Sequence, residues 1–162
     1  LKTCFTSIPA PGLARIFNAE ADVLQAIRDK TLKEGEVIVI RYEGPRGRPG
    51  MPETLAVTMG LDLAGFTNVA LVTDGRFSGA TAGPCIGHVS PEAASGGPIV
   101  VIEDGDMINI DIPARRLDVD LKPQEIARRL AGWKPLHKQI TPGYMRRYVR
   151  MVGSAAYGAV LE

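Results

Sequence analysis

The sequence holds few of the residues from which metal sites and nucleophilic sites are usually built. It has two cysteines, Cys4 and Cys85, which lie far apart and form no CxxC or CxxH pattern. We therefore expect two reduced thiols, and no metal or cluster site built from this chain alone. The two histidines are His88 and His137. Neither is placed by sequence to pair with a serine and GxSxG is absent, so a serine hydrolase is unsupported.

The chain also lacks an excess of charge and any long apolar run. Its 19 basic and 18 acidic residues give a net charge of +1, which argues against a nucleic-acid surface and against electrostatic docking on membranes. Apolar stretches such as residues 99–102 are far too short to span a bilayer, and no basic-then-apolar leader appears at Leu1. We expect a cytoplasmic protein, and the start at Leu rather than Met suggests a piece of a longer polypeptide.

The residues that are present predict a mixed α/β domain. Apolar residues make up 45% and charged residues 23% of the 162 residues, which is enough for one globular domain with a packed core. Continuous apolar runs at 37–42 and 68–73 predict strands covered on both faces, whereas the alternation at 106–112 predicts a half-exposed antiparallel strand. The other predicted elements are strands at 13–17, 99–102 and 116–119 and helices at 19–29, 52–59, 123–131 and 141–152.

Two glycine-rich loops follow the two buried strands. The first loop, residues 43–53, reads Glu-Gly-Pro-Arg-Gly-Arg-Pro-Gly-Met-Pro-Glu, and the second loop, residues 73–83, reads Thr-Asp-Gly-Arg-Phe-Ser-Gly-Ala-Thr-Ala-Gly. Glycine is typical where φ must be positive or where the backbone must approach a ligand closely. The loops contain a carboxylate at Glu53 and a hydroxyl at Ser78, so together they indicate part of an active site.

The residues alone leave two interpretations of each of these side chains. Glu53 is predicted in the first turn of a helix that begins at Pro52, where it either ligates a hard cation such as Mg²⁺ or complements the helix dipole. Ser78 either acts as a base or nucleophile, for which it needs a neighbouring activator, or simply bonds the backbone of its turn.

Three other polar residues in or near the second loop are open to the same two kinds of interpretation. Asp74 either forms the turn or orients the loop from behind, and Arg76 either pairs with a substrate carboxylate or forms a structural ion pair. His88 is more typical of a structural histidine than of a ligand. The backbone around Gly79 could also cradle an anion such as a substrate carboxylate.

Longer strings around the loops resemble the C-terminal domain of the dihydroxy-acid dehydratase family, which includes phosphogluconate and other sugar-acid dehydratases. The similar strings are Val-Ile-Arg-Tyr-Glu-Gly-Pro-Arg-Gly at 39–47, Pro-Gly-Met-Pro-Glu at 49–53, Leu-Val-Thr-Asp-Gly-Arg-Phe-Ser-Gly-Ala-Thr at 71–81 and Ile-Gly-His-Val-Ser-Pro-Glu at 86–92. Their order and spacing are kept from about residue 14 to the end. The last string is closer to the branched-chain dihydroxy-acid enzymes than to the sugar-acid branch.

The resemblance implies both a fold and a reaction. The fold is the swivelling β/β/α domain, an α/β architecture with mixed parallel and antiparallel sheets and flanking helices. The reaction is a hydro-lyase step in isoleucine and valine biosynthesis, in which a 2,3-dihydroxy acid loses water through an enol to become a 2-oxo acid. In the family an iron–sulfur cluster acts on the departing 3-hydroxyl, Mg²⁺ holds the carboxylate and 2-hydroxyl, and a serine alkoxide removes the C2 proton.

By this resemblance Ser78 corresponds to the proton-abstracting serine and Glu53 to the Mg²⁺ ligand contributed by this domain. Gly79 and Thr81 are expected to hold substrate oxygens. The cluster cysteines and the other Mg²⁺ ligands belong in the family to an N-terminal domain, which we expect as a partner. A homo-oligomer is expected for the full-length enzyme, and no activity for this chain by itself. Arg48 departs from the family pattern, because a glycine is common at its position.

The boundaries and the alternatives follow from the same comparison of residues. Residues 1–13 are interpreted as a divergent segment or linker, and residues 14–162 as the dehydratase domain with a helical extension from about 121. One alternative is a sugar-acid dehydratase with the same parts, and another is a small-subunit-like binding module that works in trans. A nucleotide-binding domain is disfavoured, because no GxxxxGK[ST] string occurs and no GxGxxG follows either strand.

Overall fold

A computed structural model describes residues 11–81, 83–136, 138–140 and 142–162. The expectations for Cys4 and His137, and most of the 1–13 segment, therefore lie outside the described residues. The strands are β1 (Gly12–Phe17), β2 (Glu36–Ile40), β3 (Ala70–Thr73), β4 (Cys85–Ile86), β5 (Met107–Asp111) and β6 (Arg116–Val119). The α-helices are α1 (Glu20–Arg28), α2 (Leu55–Leu63), α3 (Pro123–Gly132) and α4 (Tyr144–Met151), and short 3₁₀ helices span Ala93–Ser95, Pro98–Val101 and Ala155–Tyr157.

The six strands form one mixed sheet in the order β4-β3-β2-β1-β5-β6. Strands β1 to β4 run parallel, whereas β5 pairs antiparallel with both β1 and β6. Helices α1 and α2 form the crossovers from β1 to β2 and from β2 to β3, whereas the second glycine-rich loop connects β3 to β4 with no helix among its described residues. Strands β5 and β6 form a hairpin at the edge. The expected mixed α/β architecture is confirmed.

Alternate side chains of the central strands enter two separate cores. On one face Ile38, Ile40 and Leu71 pack with the buried sides of α1 and α2. On the other face Val39 and Val72 pack with residues of the 3₁₀ helices and of β5. This burial on both faces explains why the two strands read as continuous apolar runs. It also fixes the position of both glycine-rich loops, because each begins at the carboxyl end of one of these strands.

The strand predicted at residues 99–102 is wrong, since Pro98–Val101 forms a 3₁₀ helix. Pro98 has no N–H to donate to a strand ladder and is well suited to the first position of a helix. Ile99 and Val101 are still buried, 3% and 4% exposed. The apolar pattern therefore predicted burial correctly but could not separate a short buried helix from a strand.

The second helix begins later than predicted. It starts at Leu55 rather than at Pro52, so Glu53 lies before the helix and not in its first turn. The N–H and the hydroxyl of Thr54 both donate to the carbonyl of Arg76, at 3.0 and 3.1 Å. This pairing holds the end of the first loop in a bridge against the second loop, and the helix can start only after it.

The helices near the C-terminus lie on the surface of the domain. Neither α3 nor α4 contains a buried residue. The last helix begins at Tyr144 after Gly143, whereas the predicted capping residue, Thr141, lies outside the described residues. Across the parts of the chain that the structure describes, no helix is both long enough and apolar enough to cross a bilayer.

Candidate functional site

The two glycine-rich loops lie side by side at the carboxyl edge of the sheet. Strands β2 and β3 are parallel neighbours with Ile40 paired to Thr73, so the loops that follow them leave the sheet together. Further along, Glu53 and Arg76 form an isolated parallel bridge. This edge, where side chains from two loops meet beyond the strand ends, is where ligands bind in open α/β sheets.

Arg76 connects the loops through its side chain as well as its backbone. Its Nη1 lies 3.1 Å from Oε1 of Glu53, and its Nε donates to the carbonyl of Met51. The structural ion pair is therefore the interpretation of Arg76 that the structure favours. Both side chains are only partly covered, with 42% of Arg76 and 41% of Glu53 exposed. Within the described residues Oε2 of Glu53 has no bonded partner, which leaves one carboxylate oxygen open to solvent.

Ser78 is half-buried and lies two residues beyond Arg76. Its Oγ accepts a hydrogen bond from the N–H of Ala80 at 3.2 Å, and its carbonyl accepts from the N–H of Thr81 at 3.1 Å. Ser78 thus makes the turn bond that one interpretation predicted. A donor aimed at this oxygen also favours its negatively charged form, so the same bond suits a serine that acts as a base.

The residues after Ser78 leave room and polar groups for a ligand. Gly79 is exposed, and a Cβ added there would meet nothing within 4 Å. The Oγ1 of Thr81 is buried without a hydrogen-bond partner. A buried hydroxyl with no partner is uncommon and costs free energy, so its occurrence next to Ser78 fits a ligand or water that bonds there.

Asp74 lies behind the two loops and joins them to a third segment. The side chain is fully buried and accepts hydrogen bonds from three backbone N–H groups, those of Tyr42 at 3.1 Å, Glu43 at 2.9 Å and Ala93 at 2.8 Å. Burial raises the pKa of Asp74, although the three donors act in the opposite direction. Of its two interpretations, loop orientation is the one that these bonds support.

A buried acidic residue in the first loop was not singled out from the sequence. Glu43 is 1% exposed and pairs with Nη1 of Arg48 at 2.6 Å and with Nζ of Lys138 at 3.1 Å. Arg48 also reaches Glu20 on α1 at 3.0 Å. The sequence signal was a carboxylate directly after a buried strand, but a partner 95 residues away cannot be identified from it.

Glu92 forms a second buried carboxylate contact with the first loop. It is 5% exposed and accepts from the N–H groups of Arg46 and Gly47. Burial raises the pKa of Glu92. Asp74 and Glu92 thus bond the backbone of the first loop from two sides.

His88 and Cys85 are the histidine and the cysteine within the described residues. His88 is exposed, has a φ of 58°, and donates its N–H to the carbonyl of Gly75 at 2.8 Å. It therefore has a structural position in the backbone of the loop. Cys85 is half-buried and packs against the core on the α1 and α2 face.

The donor set of the described residues decides which metal groups fit. Among residues 11–81, 83–136, 138–140 and 142–162, no group of three His, Cys, Asp or Glu side chains could hold a metal ion. An iron–sulfur cluster needs several thiolate ligands, and Cys85 by itself does not fit one. Glu53 does fit a smaller share, because Mg²⁺ usually takes one or two carboxylates from a protein and keeps other ligands.

Most of the sequence matches one family model and several named proteins. The model of the family described as dihydroxy-acid/6-phosphogluconate dehydratase, C-terminal, matches residues 4–159. A dihydroxy-acid dehydratase of Thermodesulfovibrio yellowstonii is 55% identical over 152 residues, which cover 93% of this chain and 28% of that protein. Proteins of the same name from Archaeoglobus fulgidus and Methanospirillum hungatei are 55% and 52% identical over 150 and 151 residues. The chain spans 27–28% of the length of these relatives.

Proposed function

This chain belongs to the dihydroxy-acid/6-phosphogluconate dehydratase family, whose C-terminal part it matches, and we propose that it forms that part of a hydro-lyase acting on 2,3-dihydroxy acids. The product is the 2-oxo acid, as in branched-chain amino acid biosynthesis, and the setting is the cytoplasm. The observation that carries the proposal is the bridge between Glu53 and Arg76, which joins the loop of the carboxylate to the loop of Ser78.

In the proposed mechanism Ser78 accepts the proton from C2 of the substrate. The N–H of Ala80, which already donates to Oγ, stabilises the alkoxide that this role requires. The hydroxyl of Thr81 and the backbone at Gly79 bond substrate oxygens, which gives the buried Thr81 Oγ1 a partner. The C2 proton passes to Ser78, and the 3-hydroxyl takes up a proton and leaves as water. The enol that remains becomes the 2-oxo acid when C3 is protonated and the enol hydroxyl loses its proton.

Glu53 would hold Mg²⁺ through the oxygen that Arg76 does not bind. The bound cation would stabilise the negative charge that develops on the substrate as the proton leaves. The described residues do not fit an iron–sulfur cluster, so departure of the 3-hydroxyl is assigned to the rest of the enzyme.

The remaining parts of the active site are supplied by an N-terminal part of the enzyme, fused or separate. The relatives are more than three times as long as this chain, and the described residues provide one open carboxylate and one base. We therefore expect the 162-residue protein to fold but to show no dehydratase activity and little Mg²⁺ affinity. Turnover of a dihydroxy acid by the purified 162-residue protein would contradict this division of the site.

A sugar-acid substrate is the second candidate, because the family description also includes 6-phosphogluconate dehydratase. The named relatives at 52–55% identity are all dihydroxy-acid dehydratases, which favours the branched-chain substrate. Comparing turnover of 2,3-dihydroxyisovalerate with turnover of gluconate by the complete enzyme separates the two. Faster turnover of gluconate would overturn the preference.

The role of Ser78 is tested by Ser78→Ala in the complete enzyme. Exchange of the C2 proton with solvent deuterium, followed by NMR, is expected to fall by about 10²–10⁴-fold, because general-base catalysis contributes that much. The absorption spectrum of the cluster should not change. Ser90→Ala is the matched control, since within the described residues the hydroxyl of Ser90 bonds the His88 carbonyl in a neighbouring loop. Wild-type exchange in Ser78→Ala would remove the serine from the mechanism.

A further inference from the structure

We propose that Arg76 is a positioning residue that fixes the Glu53 carboxylate relative to the turn of Ser78. The inference rests on the proposed function, in which Glu53 holds the cation and Ser78 takes the proton. It adds a third residue to that pair and states how the two loops keep their alignment.

Arg76 holds the first loop at three separate points. Its Nη1 binds Glu53 Oε1 at 3.1 Å, its Nε binds the Met51 carbonyl, and its own carbonyl accepts two hydrogen bonds from Thr54. These contacts hold Met51, which lies two residues before Glu53, and Thr54, which directly follows it. Ser78 is two residues from Arg76 on the same loop, so any shift of Arg76 changes the position of Glu53 relative to Ser78.

The side-chain fork of arginine is what makes this arrangement possible. The guanidinium group is planar, and its Nε and Nη1 donors keep a fixed geometry relative to each other. Here the two donors bind a backbone carbonyl and a carboxylate of the same loop. Met51 has a φ of 44°, a conformation that residues other than glycine rarely adopt, and the bond from Arg76 helps to hold its carbonyl there.

The charge of Arg76 argues against a simpler electrostatic role. A positive group 3.1 Å from a carboxylate oxygen repels a cation that binds the same carboxylate. An arginine at this position therefore weakens cation binding through its charge, and strengthens it only by holding the carboxylate in place. The two effects have opposite signs, so substitutions that change charge and geometry separately can distinguish them.

The experiment measures Mg²⁺ affinity of the complete enzyme by isothermal titration calorimetry. Arg76→Lys keeps the charge but loses the fork, and we expect it to weaken Mg²⁺ binding roughly tenfold, the lower end of the range for residues that orient a metal ligand. Arg76→Gln loses the fork and the repulsion together, so its loss is expected to be smaller than that of Arg76→Lys. If charge were the main effect, Arg76→Lys would bind like the wild type and Arg76→Gln would bind more tightly.

Arg15→Lys is the matched control. Arg15 forms an ion pair with Asp104 at the same 3.1 Å and with similar exposure, 36% against 42% for Arg76, but it lies on β1. Its Mg²⁺ affinity should equal that of the wild type. Melting temperatures of all variants, measured in the same buffer, show whether a lost affinity reflects general unfolding. Arg76→Lys keeps the positive charge and a head group that can donate hydrogen bonds, which limits that effect.

Glu53→Gln separates failure of this inference from failure of the proposed function. If Glu53→Gln binds Mg²⁺ like the wild type, the metal role of Glu53 is wrong and the inference is overturned with it. If Glu53→Gln weakens binding but Arg76→Lys does not, only the positioning role of Arg76 is overturned. Weaker binding in both variants, with the Arg15→Lys control unchanged, supports the inference.

Discussion

Asp74→Asn is expected to destabilise the domain strongly, although it changes only one oxygen into an amide nitrogen. The carboxylate accepts from Tyr42 and Ala93 through Oδ2 and from Glu43 through Oδ1. An asparagine has one acceptor oxygen, so in either orientation at least one buried backbone N–H would face an NH₂ group. The first loop, the second loop and the segment at Ala93 would then no longer all be hydrogen-bonded through this one side chain.

The magnitude follows from the bonds that are lost. A hydrogen bond to a charged group contributes about 1.5–3 kcal/mol, and a buried N–H without a partner costs about 1–3 kcal/mol. The neutral amide recovers part of this, because burial disfavours the charged Asp74, as its raised pKa indicates. A net loss of about 2–4 kcal/mol remains. For a chain of this size that is a decrease in melting temperature of about 5–15 °C.

The assay is thermal and urea unfolding of the 162-residue protein, followed by circular dichroism. Asp111→Asn is the matched control, because Asp111 is exposed and, in the part of the chain that the structure describes, its side chain accepts one N–H, that of Ala114, at 2.9 Å. Its stability should change by less than about 0.5 kcal/mol. An Asp74→Asn protein as stable as the control would refute the argument that this side chain orders the loops.

Two further predictions concern packing and pH. Gly97→Ala is expected to lower the free energy of unfolding by about 3–5 kcal/mol or to prevent folding, because the new Cβ would lie 1.7 Å from the carbonyl oxygen of Pro91. Gly132→Ala is the control, because its Cβ would meet nothing within 4 Å. In the same urea titration it should unfold at the urea concentration of the wild type or at a higher one. Burial raises the pKa of Asp74 above 3.8 and that of Glu92 above 4.5, so the folded state keeps protons at a pH where the unfolded state has lost them. The stability that these two protonated groups contribute is complete below about pH 4 and is lost as pH rises through the raised pKa values. The free energy of unfolding should therefore decrease as pH rises across that range, and the decrease should be smaller in Glu92→Gln. If the free energy of unfolding of the wild type instead increased with pH, and Glu92→Gln did not alter this, the predicted direction would be wrong.

The sequence predicted the parts of the fold that depend on local patterns. Residues 37–42 and 68–73 were identified as strands because their apolar residues are continuous, and that pattern reflects burial on both faces. Residues 99–102 were assigned to a strand by the same logic, and the prediction was wrong because Pro98 starts a 3₁₀ helix. A short apolar run specifies burial more reliably than it specifies backbone conformation.

Long-range contacts at the site could not be predicted in the same way. Glu53 and Ser78 are predicted site residues because each belongs to a glycine-rich loop after a strand, and the placement of the loops at one edge follows from parallel pairing. Helix α2 starts at Leu55 rather than Pro52 because Thr54 bonds the carbonyl of Arg76, which lies 22 residues further along the chain. Glu43 and Lys138 are 95 residues apart in the sequence, and no local pattern predicts that they pair.

The anchoring of the C-terminal residues on the first loop sets a rule for exchanging segments between relatives. Lys138 bonds the Tyr42 carbonyl as well as Glu43, and Nε of Arg46 donates to the carbonyl of Val152. A chimera that takes the region after α3 from one parent and the first loop from another would separate groups that bond each other in this structure. Crossover points for such hybrids should therefore keep both regions from the same parent.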